Sequence, residues 1–313
     1  ASAKTVLTDS LPSLQVLCEC RSIFIAISLI TWCENETMAK DAKTLASRNA
    51  NRTATPQSKE FMKFIGSSWA DRDNALPKQA EVAPYASKRR AAVAKAFKGK
   101  VVVIEAGDLK QRSNDTEYRY RAHSAFSHLT GWGTHTVPDS VLVIDARTGS
   151  PTSTLFFRPT AGRDTDEFFA NPAIGEFWVG ARPGLAEVSG LLDLPTRDLK
   201  ELEDFLSQVP SDLRLDLEDP ALIEFTSELR LVKDSYEIAE MRKAVAASVA
   251  GFESIVGKLH DATKHPRGER IVEGAFFAEA RAHGNDLGYE TIAASGEHAC
   301  TLHWIINDGP VRP

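Results

Sequence analysis

The sequence predicts a mixed α/β (α+β) protein of two domains. A length of 313 residues accommodates about two domains. In the first part of the chain, short β-branched apolar runs alternate with amphipathic runs, which is typical of alternating strands and helices. A much longer helical pattern then begins near residue 234. Hydrophobic and charged residues make up 42% and 26% of the chain, as in ordinary globular proteins.

The first 59 residues differ in character from the rest, and we expect them to form a leader and a polar tail. The apolar run at residues 23–30 is far shorter than the roughly 20 residues that cross a bilayer. A secretory signal is not favoured, because no small-x-small cleavage pattern follows this run before Met38. We therefore expect Met38 to be the natural start. Residues 38–59 are too poor in apolar side chains to order themselves, which predicts a flexible tail.

Residues 60–225 predict the first folded domain. Phe61, Phe64 and Ile65 recur at helical spacing and indicate its first helix. The β-branched run at residues 101–104 is typical of a strand buried on both faces. A Thr-Gly-Ser turn at residues 148–150 lies between two apolar runs and predicts a hairpin. The expected elements are helices near residue 60, at 85–97 and at 193–206, and strands at 101–104, 141–145 and 154–158.

Residues 226–313 predict the second domain. Asp234 and Glu237 have the spacing of a capping box, in which each carboxylate accepts a free amide at the start of a helix. A long amphipathic helix packed by one face should follow. Residues 269–283 predict a second helix that ends at Gly284. The apolar face of the long helix comprises Ile238, Met241, Val245, Val249, Phe252, Val256 and Leu259.

The last stretch alternates in polarity and predicts a β-strand over residues 300–306. In such a strand, His303 points away from the face that carries Trp304. The Asn-Asp-Gly sequence at residues 307–309 predicts a tight turn into a returning antiparallel strand. Because the sequence ends at Pro313, we expect this hairpin, and the domain that contains it, to be truncated.

Charge and cysteine content narrow the classes of function. A net charge of −6 and a pI near 5.8 do not favour a nucleic-acid partner, which calls for a concentrated basic surface. Three of the four cysteines lie within residues 1–37, which leaves only Cys300 in the expected folded region. A disulfide framework is therefore not favoured, and a reducing compartment, the cytoplasm, is expected. The sequence lacks the Gly-x-Ser-x-Gly, Walker and His-Glu-x-x-His motifs.

Histidine and cysteine side chains near the end of the chain are candidates for a site. His298, Cys300 and His303 include good zinc ligands. In a strand, however, His298 and Cys300 share one face and His303 lies on the other, so the three side chains do not converge. On pattern alone, His303 is compatible with a structural role as well as a functional one.

Two stretches resemble one enzyme family. Residues 287–313 read LGYETIAASGEHACTLHWIINDGPVRP, and the run from Tyr289 to His303 within them resembles the opening of the pita-bread metallopeptidase domain. Residues 118–132 combine a Tyr/Arg-rich segment with Thr-Gly and resemble the N-terminal domain of aminopeptidase P, the Xaa-Pro aminopeptidase family. This sequence departs from the family at Ser127 and His128, where large aromatic residues are usual. The departure leaves the side-chain preference of the pocket open.

The resemblance implies a creatinase/aminopeptidase P-like N-terminal domain followed by the start of a pita-bread catalytic domain. The implied activity is removal of the N-terminal residue from peptides with proline in second position. His303 matches the family's substrate-contacting histidine, which is not a metal ligand. The family's five ligands to two divalent ions, usually Mn2+, are expected beyond Pro313, so the 313-residue chain should bind no catalytic metal and be inactive.

The resemblance also implies a homo-oligomer, a dimer or tetramer, and a peptide substrate. Neither a membrane nor a nucleic-acid partner is expected. Two alternatives stay open at this point. One is a prolidase-like or creatinase-like hydrolase of the same fold, against which residues 118–132 argue. The other is a non-catalytic member of the fold that binds peptides or proteins in the same groove.

Overall fold

The computed structural model describes residues 58–72, 75–114 and 116–312. The leader, the start at Met38 and nearly all of the tail expected at residues 1–59 lie outside this range. The α-helices are α1 Lys59–Ile65, α2 Ala83–Ala96, α3 Ser124–Thr130, α4 Glu167–Ala170, α5 Glu176–Val179, α6 Leu185–Leu192, α7 Leu202–Ser207, α8 Pro220–Leu231, α9 Ser235–Lys264 and α10 Gly268–His283. The strands are β1 Val101–Glu105, β2 Gln111–Ser113, β3 Thr116–Glu117, β4 Val141–Asp145, β5 Thr152–Phe157, β6 Thr196–Asp198 and β7 Arg214–Leu215. Short 3-10 helices occupy Leu199–Glu201, Ser211–Leu213 and Gly296–Cys300.

These elements form two compact units. The smaller unit comprises residues 58–72, 111–114, 116–117 and 160–182, and the larger comprises 75–110, 118–159 and 183–312. Both units contain helices and strands, which confirms the mixed α/β class. In the part of the chain that the structure describes, every helix is too short or too polar to cross a lipid bilayer.

The larger unit is built on a five-stranded sheet in the order β6-β5-β4-β1-β7. Strands β1, β4 and β5 pair antiparallel, while β6 and β7 add parallel strands at the two edges. The hairpin predicted around residues 148–150 is confirmed, because β4 and β5 pair with Val141 opposite Phe156. The strand predicted at 101–104 is confirmed as β1, and its first four residues are buried.

Helices and loops cover both faces of this sheet. On one face, Val102 and Ile104 pack with residues of α2, α3, α6 and α8. On the other, Val101 and Val103 pack with a smaller set that includes residues of α7. Because a β-strand points successive side chains to opposite faces, a run of four apolar residues is what a strand between two such layers requires.

The helix predicted over residues 193–206 is only partly correct. Residues Thr196–Asp198 form β6 instead, paired parallel with β5. The Asp198 side chain then accepts the Lys200 N–H at 3.0 Å and starts the following helical turn. An edge strand three residues long carries too little period-two pattern to be separated from the helical spacing that follows it.

The predicted start of the long helix α9 and the predicted extent of its partner α10 are confirmed. The predicted capping box is formed: the Glu237 N–H donates to Asp234 at 2.9 Å, and the Asp234 N–H donates to Glu237 at 3.0 Å. The two helices approach closely at Gly251, where a Cβ would lie 2.7 Å from the Phe276 ring. Phe252 and Phe276 meet edge to face at 5.5 Å. Gly284 caps α10, as predicted.

The packing predicted for α9 is wrong. Its apolar stripe was expected to be buried, yet every member is exposed, from 40% at Ile238 to 69% at Val256. Residues of α9 outside the stripe, such as Gly251 and Ala262, are the buried ones. Periodicity identifies which residues share a face, but not which neighbour covers that face.

The smaller unit is held by aromatic rings and one shared carboxylate. Phe61 of α1 meets Phe169 at 5.1 Å, and Phe169 meets Phe177 at 4.9 Å, both edge to face. The Glu176 carboxylate accepts hydrogen bonds from Arg163, at 3.1 Å, and from Arg72. The helix predicted near residue 60 is thus confirmed as α1, which is part of this cluster.

Candidate functional site

The segment that carries His303 is not a strand, so that prediction is wrong. The 3-10 helix Gly296–Cys300 is followed by a turn in which the Thr301 N–H donates to the His298 carbonyl at 2.9 Å. The Ile305 N–H then donates to the His303 carbonyl at 3.0 Å. A strand needs a neighbouring strand to satisfy its backbone groups, whereas here the N–H groups of Thr301, Trp304 and Ile305 donate within local turns. His303 itself is exposed.

This segment is anchored by Glu269 in the first turn of α10. The carboxylate is 1% exposed and accepts four hydrogen bonds, two on each oxygen. One oxygen accepts the Ser295 N–H at 2.8 Å and His298 Nδ1 at 2.9 Å. The other accepts Trp304 Nε1 at 2.9 Å and the Gly309 N–H at 2.8 Å. Charge-assisted bonds of this kind are stronger than neutral ones.

The electrostatics of Glu269 follow from these contacts. Burial alone would raise the pKa of its carboxyl group, because it disfavours the charged form. The hydrogen bonds from Trp304, Gly309, Ser295 and His298 outweigh burial and lower the pKa from 4.5 to about 2. Glu269 is therefore ionised at every physiological pH.

A second anchor is Asn307, which is fully buried. Its side chain accepts the Ala293 N–H at 3.0 Å and donates to the Thr291 carbonyl at 2.8 Å. Its backbone is left-handed, with φ of 49°, a conformation that asparagine tolerates better than most residues. The hairpin predicted at residues 307–309 is therefore wrong: within the described range this sequence closes a loop onto α10.

The prediction that His298 and Cys300 share one strand face and His303 lies on the other is also wrong, because these residues do not lie on a strand. The His298 ring stacks on Trp304 with centroids 3.8 Å apart and faces Glu269. Cys300 is exposed and free. Across residues 58–72, 75–114 and 116–312, no group of three His, Cys, Asp or Glu side chains is arranged to hold a metal ion.

The second recognised stretch, residues 118–132, reaches the core through helix α3 and the residues that end it. Helix α3 begins at His123, whose Nδ1 accepts the Ala125 N–H, and ends at Gly131 in the left-handed conformation. Phe126 and Trp132 are buried. The Thr-Gly pair is therefore a helix end, where glycine is favoured because it adopts positive φ without strain.

The two residues of α3 that depart from the family pattern have different surroundings. Ser127 lines the groove described below. His128 is 8% exposed, and its Nε2 lies 3.4 Å from Glu237. Burial and the nearby Arg89 guanidinium lower the pKa of His128 to about 4, against the opposing effect of Glu237. His128 is therefore neutral at pH 7.

Arg89 joins α2 and α3 to the start of α9. Its guanidinium donates to Asp234 at 2.6 Å and to the His128 carbonyl at 2.9 Å. It also lies 3.5 Å from Glu237. Burial would raise the pKa of Asp234, but the bonds from the Glu237 N–H and Arg89 lower it below its usual value. The helix cap is thus also an ion-pair junction.

An open groove of about 1450 Å³ lies in the larger unit. Its walls come from residues 119–134, from α9 and α10, and from residues 285–294. Arg119 forms an ion pair with Asp286 across one end. Of the described residues, those that line the groove do not include His303. The groove and the anchored His303 segment are therefore neighbouring features of the larger unit rather than one pocket.

Two parts of the chain match the models of known protein families. Residues 85–214 match the aminopeptidase P N-terminal domain, and residues 239–313 match metallopeptidase family M24. The chain therefore contains an aminopeptidase P N-terminal domain and part of an M24 metallopeptidase domain. The resemblance stated from residues 118–132 and 289–303 is thereby confirmed.

Its relatives include two proteins of Streptomyces coelicolor. The chain is 41% identical to Xaa-Pro aminopeptidase 1 over 273 residues, which is 82% of this chain and 54% of the relative. It is 39% identical to Xaa-Pro aminopeptidase 2 over 287 residues, which is 86% of this chain and 60% of that relative. The chain therefore spans somewhat more than half the length of the curated relatives it matches.

Solved structures show the same fold. Aminopeptidase P from E. coli in its low-pH form aligns with a TM-score of 0.59 at 23% identity, over 74% of this chain and 56% of that one. An aminopeptidase P from Bacillus anthracis aligns with a TM-score of 0.59 at 18% identity. The expected architecture, an aminopeptidase P N-terminal domain followed by part of a pita-bread domain, is confirmed.

Sequence reasoning missed the residues that shape this site. Glu269 was expected only as the start of a helix, and Asn307 only as part of a turn. An acidic residue in the first turn of a helix is common and favourable by itself, so the sequence held no signal for its distant donors. The Arg89 junction was equally invisible, because Arg89 and Asp234 are far apart in the chain.

Proposed function

We propose that the whole protein is a metal-dependent Xaa-Pro aminopeptidase, which removes the N-terminal residue from peptides with proline in second position. The observation that carries this proposal is the 41% identity to Xaa-Pro aminopeptidase 1 over 82% of the chain. The order of the two matched domains supports it. In this proposal, residues 60–225 form the N-terminal domain and residues 226–313 the first part of the catalytic domain.

His303 is proposed to contact the substrate rather than a metal. An exposed imidazole on a firmly anchored loop is suited to donate a hydrogen bond to a peptide carbonyl. It would thereby stabilise the negative charge that develops on this oxygen when the peptide bond is attacked. The sequence match of residues 289–303 to the family supports the same role.

The metal is proposed to be a pair of divalent ions, with Mn2+ as the expected species. A Zn-substituted aminopeptidase P from E. coli has been solved in complex with product. The described residues of this chain do not fit a catalytic metal by themselves, because no three-ligand cluster lies among them. The ligands are proposed to follow Pro313, and the 313-residue chain alone is proposed to be inactive.

A direct assay tests the function. The 313-residue chain and a chain extended through the downstream reading frame would each be incubated with Mn2+ and two peptides of matched length, one with proline and one with alanine in second position. We expect the extended chain to cleave only the proline peptide and the 313-residue chain to cleave neither. Failure of the extended chain would favour a non-catalytic binding protein. Cleavage by the 313-residue chain would refute the proposed location of the ligands.

Assembly and location are proposals of the same kind. A homo-oligomer, dimer or tetramer, is proposed for the whole protein and can be measured by sedimentation. A cytoplasmic location, without a membrane or nucleic-acid partner, can be measured by cell fractionation. The acidic balance of the chain supports the absence of a nucleic-acid partner.

A further inference from the structure

We propose that Glu269 is a positioning residue for His303, because its carboxylate holds residues 295–309 in the shape that presents the imidazole to a bound peptide. The role given to His303 rests on the proposed function. The anchoring of its loop by Glu269 stands on geometry alone, so the two parts can fail separately.

The Glu269 carboxylate is saturated by the loop. An ionised carboxylate offers about four lone-pair sites, and all four are used by donors from residues 295–309. The two ends of the loop supply backbone N–H groups, from Ser295 and Gly309. Its middle supplies two ring N–H groups, from His298 and Trp304. One buried group therefore fixes the loop at four points.

His303 lies between two of these fixed points. Trp304 follows it directly, and His298 precedes it by five residues. Turn hydrogen bonds connect the fixed points: the Thr301 N–H donates to the His298 carbonyl, and the Trp304 N–H to the Thr301 carbonyl at 3.3 Å. Loss of the carboxylate would remove the hydrogen bonds that hold His298 and Trp304, on either side of His303. The backbone that carries the exposed His303 ring would then lose its fixed conformation.

The loop packs closely against Glu269, so the size of this side chain, as well as its charge, affects the loop conformation. A Cβ on Gly309 would lie 2.6 Å from the His298 ring and 3.1 Å from the Glu269 carboxylate. The loop backbone therefore rests directly on both groups. A buried charge is costly to keep unless it is hydrogen-bonded, and an apolar side chain at this position would leave four loop donors without their acceptor. What the carboxylate adds is one defined loop conformation.

Hydrogen exchange in the 313-residue chain tests the anchoring. Glu269→Gln keeps the size of the side chain but replaces one acceptor oxygen with an NH2 donor, which opposes two loop donors. We expect exchange at the amides of Thr301, Trp304 and Ile305 to accelerate by about tenfold or more. Exchange of the Val103 amide in the central sheet should not change.

Two further variants make this experiment decisive. Glu273→Gln, at a half-buried position on the same helix, is the matched control and should leave loop exchange unchanged. Trp304→Phe removes a single donor and should accelerate exchange less than Glu269→Gln. Unchanged loop exchange in Glu269→Gln would overturn the anchoring. Equal acceleration at Val103 would show a merely structural role.

Kinetics of the whole protein test the link to His303. If Glu269 acts through His303, Glu269→Gln and His303→Ala should each lower kcat/KM by about tenfold or more, and the double variant should be no slower than His303→Ala alone. Multiplied effects would overturn the positioning role even though the aminopeptidase assignment stands. If the unaltered protein cleaves nothing, the proposed function fails, and the positioning of His303 for a substrate is withdrawn with it. The exchange results still decide whether Glu269 anchors the loop.

Discussion

The acid stability of the loop at residues 295–309 can be worked out from Glu269. Its pKa lies at about 2 in the folded protein, against a usual value of 4.5. At about 1.4 kcal/mol per pKa unit, this difference corresponds to about 3 kcal/mol of stabilisation. The site reaches solvent at His298, which is 25% exposed, so screening should reduce the measured value to about 2 kcal/mol.

The direction with pH follows from the lowered pKa. The stabilisation is complete above pH 4.5, where the carboxyl group is ionised in both folded and unfolded states. It is lost as the pH falls toward 2, because the unfolded state takes up the proton first. Glu269→Gln lacks this ionisable group, so it should be less stable above pH 4.5 and should lose this contribution to the pH dependence of stability.

The assay is the protection of the Gly309 amide, which donates directly to Glu269. Protection factors measured by NMR from pH 6 to pH 2 should fall by about 30-fold in the unaltered chain, which corresponds to about 2 kcal/mol. Glu290→Gln, at an exposed position in the same region, is the control and should follow the unaltered chain. A Gly309 protection factor that does not change with pH, or an equal one in Glu269→Gln at pH 7, would refute the reasoning.

Three further changes test other parts of the structure. Gly131→Ala should lower the free energy of unfolding by about 2 kcal/mol, because φ is +72° and a Cβ would lie 2.7 Å from a methyl group of Val82. Gly133→Ala is the control: a Cβ there would meet open space, so urea denaturation should show a loss of under about 1 kcal/mol. Val143→Ala in the core should lower the free energy of unfolding by about 2 kcal/mol, whereas Val249→Ala on the exposed stripe of α9 should lower it by under about 0.5 kcal/mol. Equal losses in the two variants would contradict the exposure of this stripe. The free energy of unfolding should also fall by up to about 3 kcal/mol as the pH drops from 6.5 to 4, because the lowered pKa of His128 makes protonation favour the unfolded state. A His128→Asn variant whose stability falls equally over this pH range would contradict this cause.

Several elements could be predicted well because their signals are local. A run of four apolar residues at 101–104 needs cover on both faces, and the structure supplies it. The capping box at Asp234 and Glu237 lies within four residues and forms as predicted. The error at Thr196–Asp198 arose where a short edge strand runs directly into a helical turn.

The candidate site could not be predicted, because its shape depends on long-range contacts. Alternating polarity at residues 300–306 is a pattern that a strand satisfies only beside another strand. In this structure the same residues turn back toward Glu269, 35 residues away from Trp304. The exposed stripe of α9 has the same origin, since a helical pattern does not say what packs against it. The family motif nevertheless placed His303 in a candidate site that the strand pattern described wrongly.

The measurement that tests the central claim most directly is the effect of His303→Ala on cleavage of a peptide with proline in second position by the whole protein with Mn2+. The account predicts that unaltered protein cleaves this peptide and that kcat/KM falls by about 100-fold in the variant, while thermal stability is unchanged because the side chain is exposed. Cleavage at an unaltered rate in His303→Ala would show that this histidine does not contact the substrate. No cleavage by the unaltered protein would contradict the aminopeptidase assignment itself.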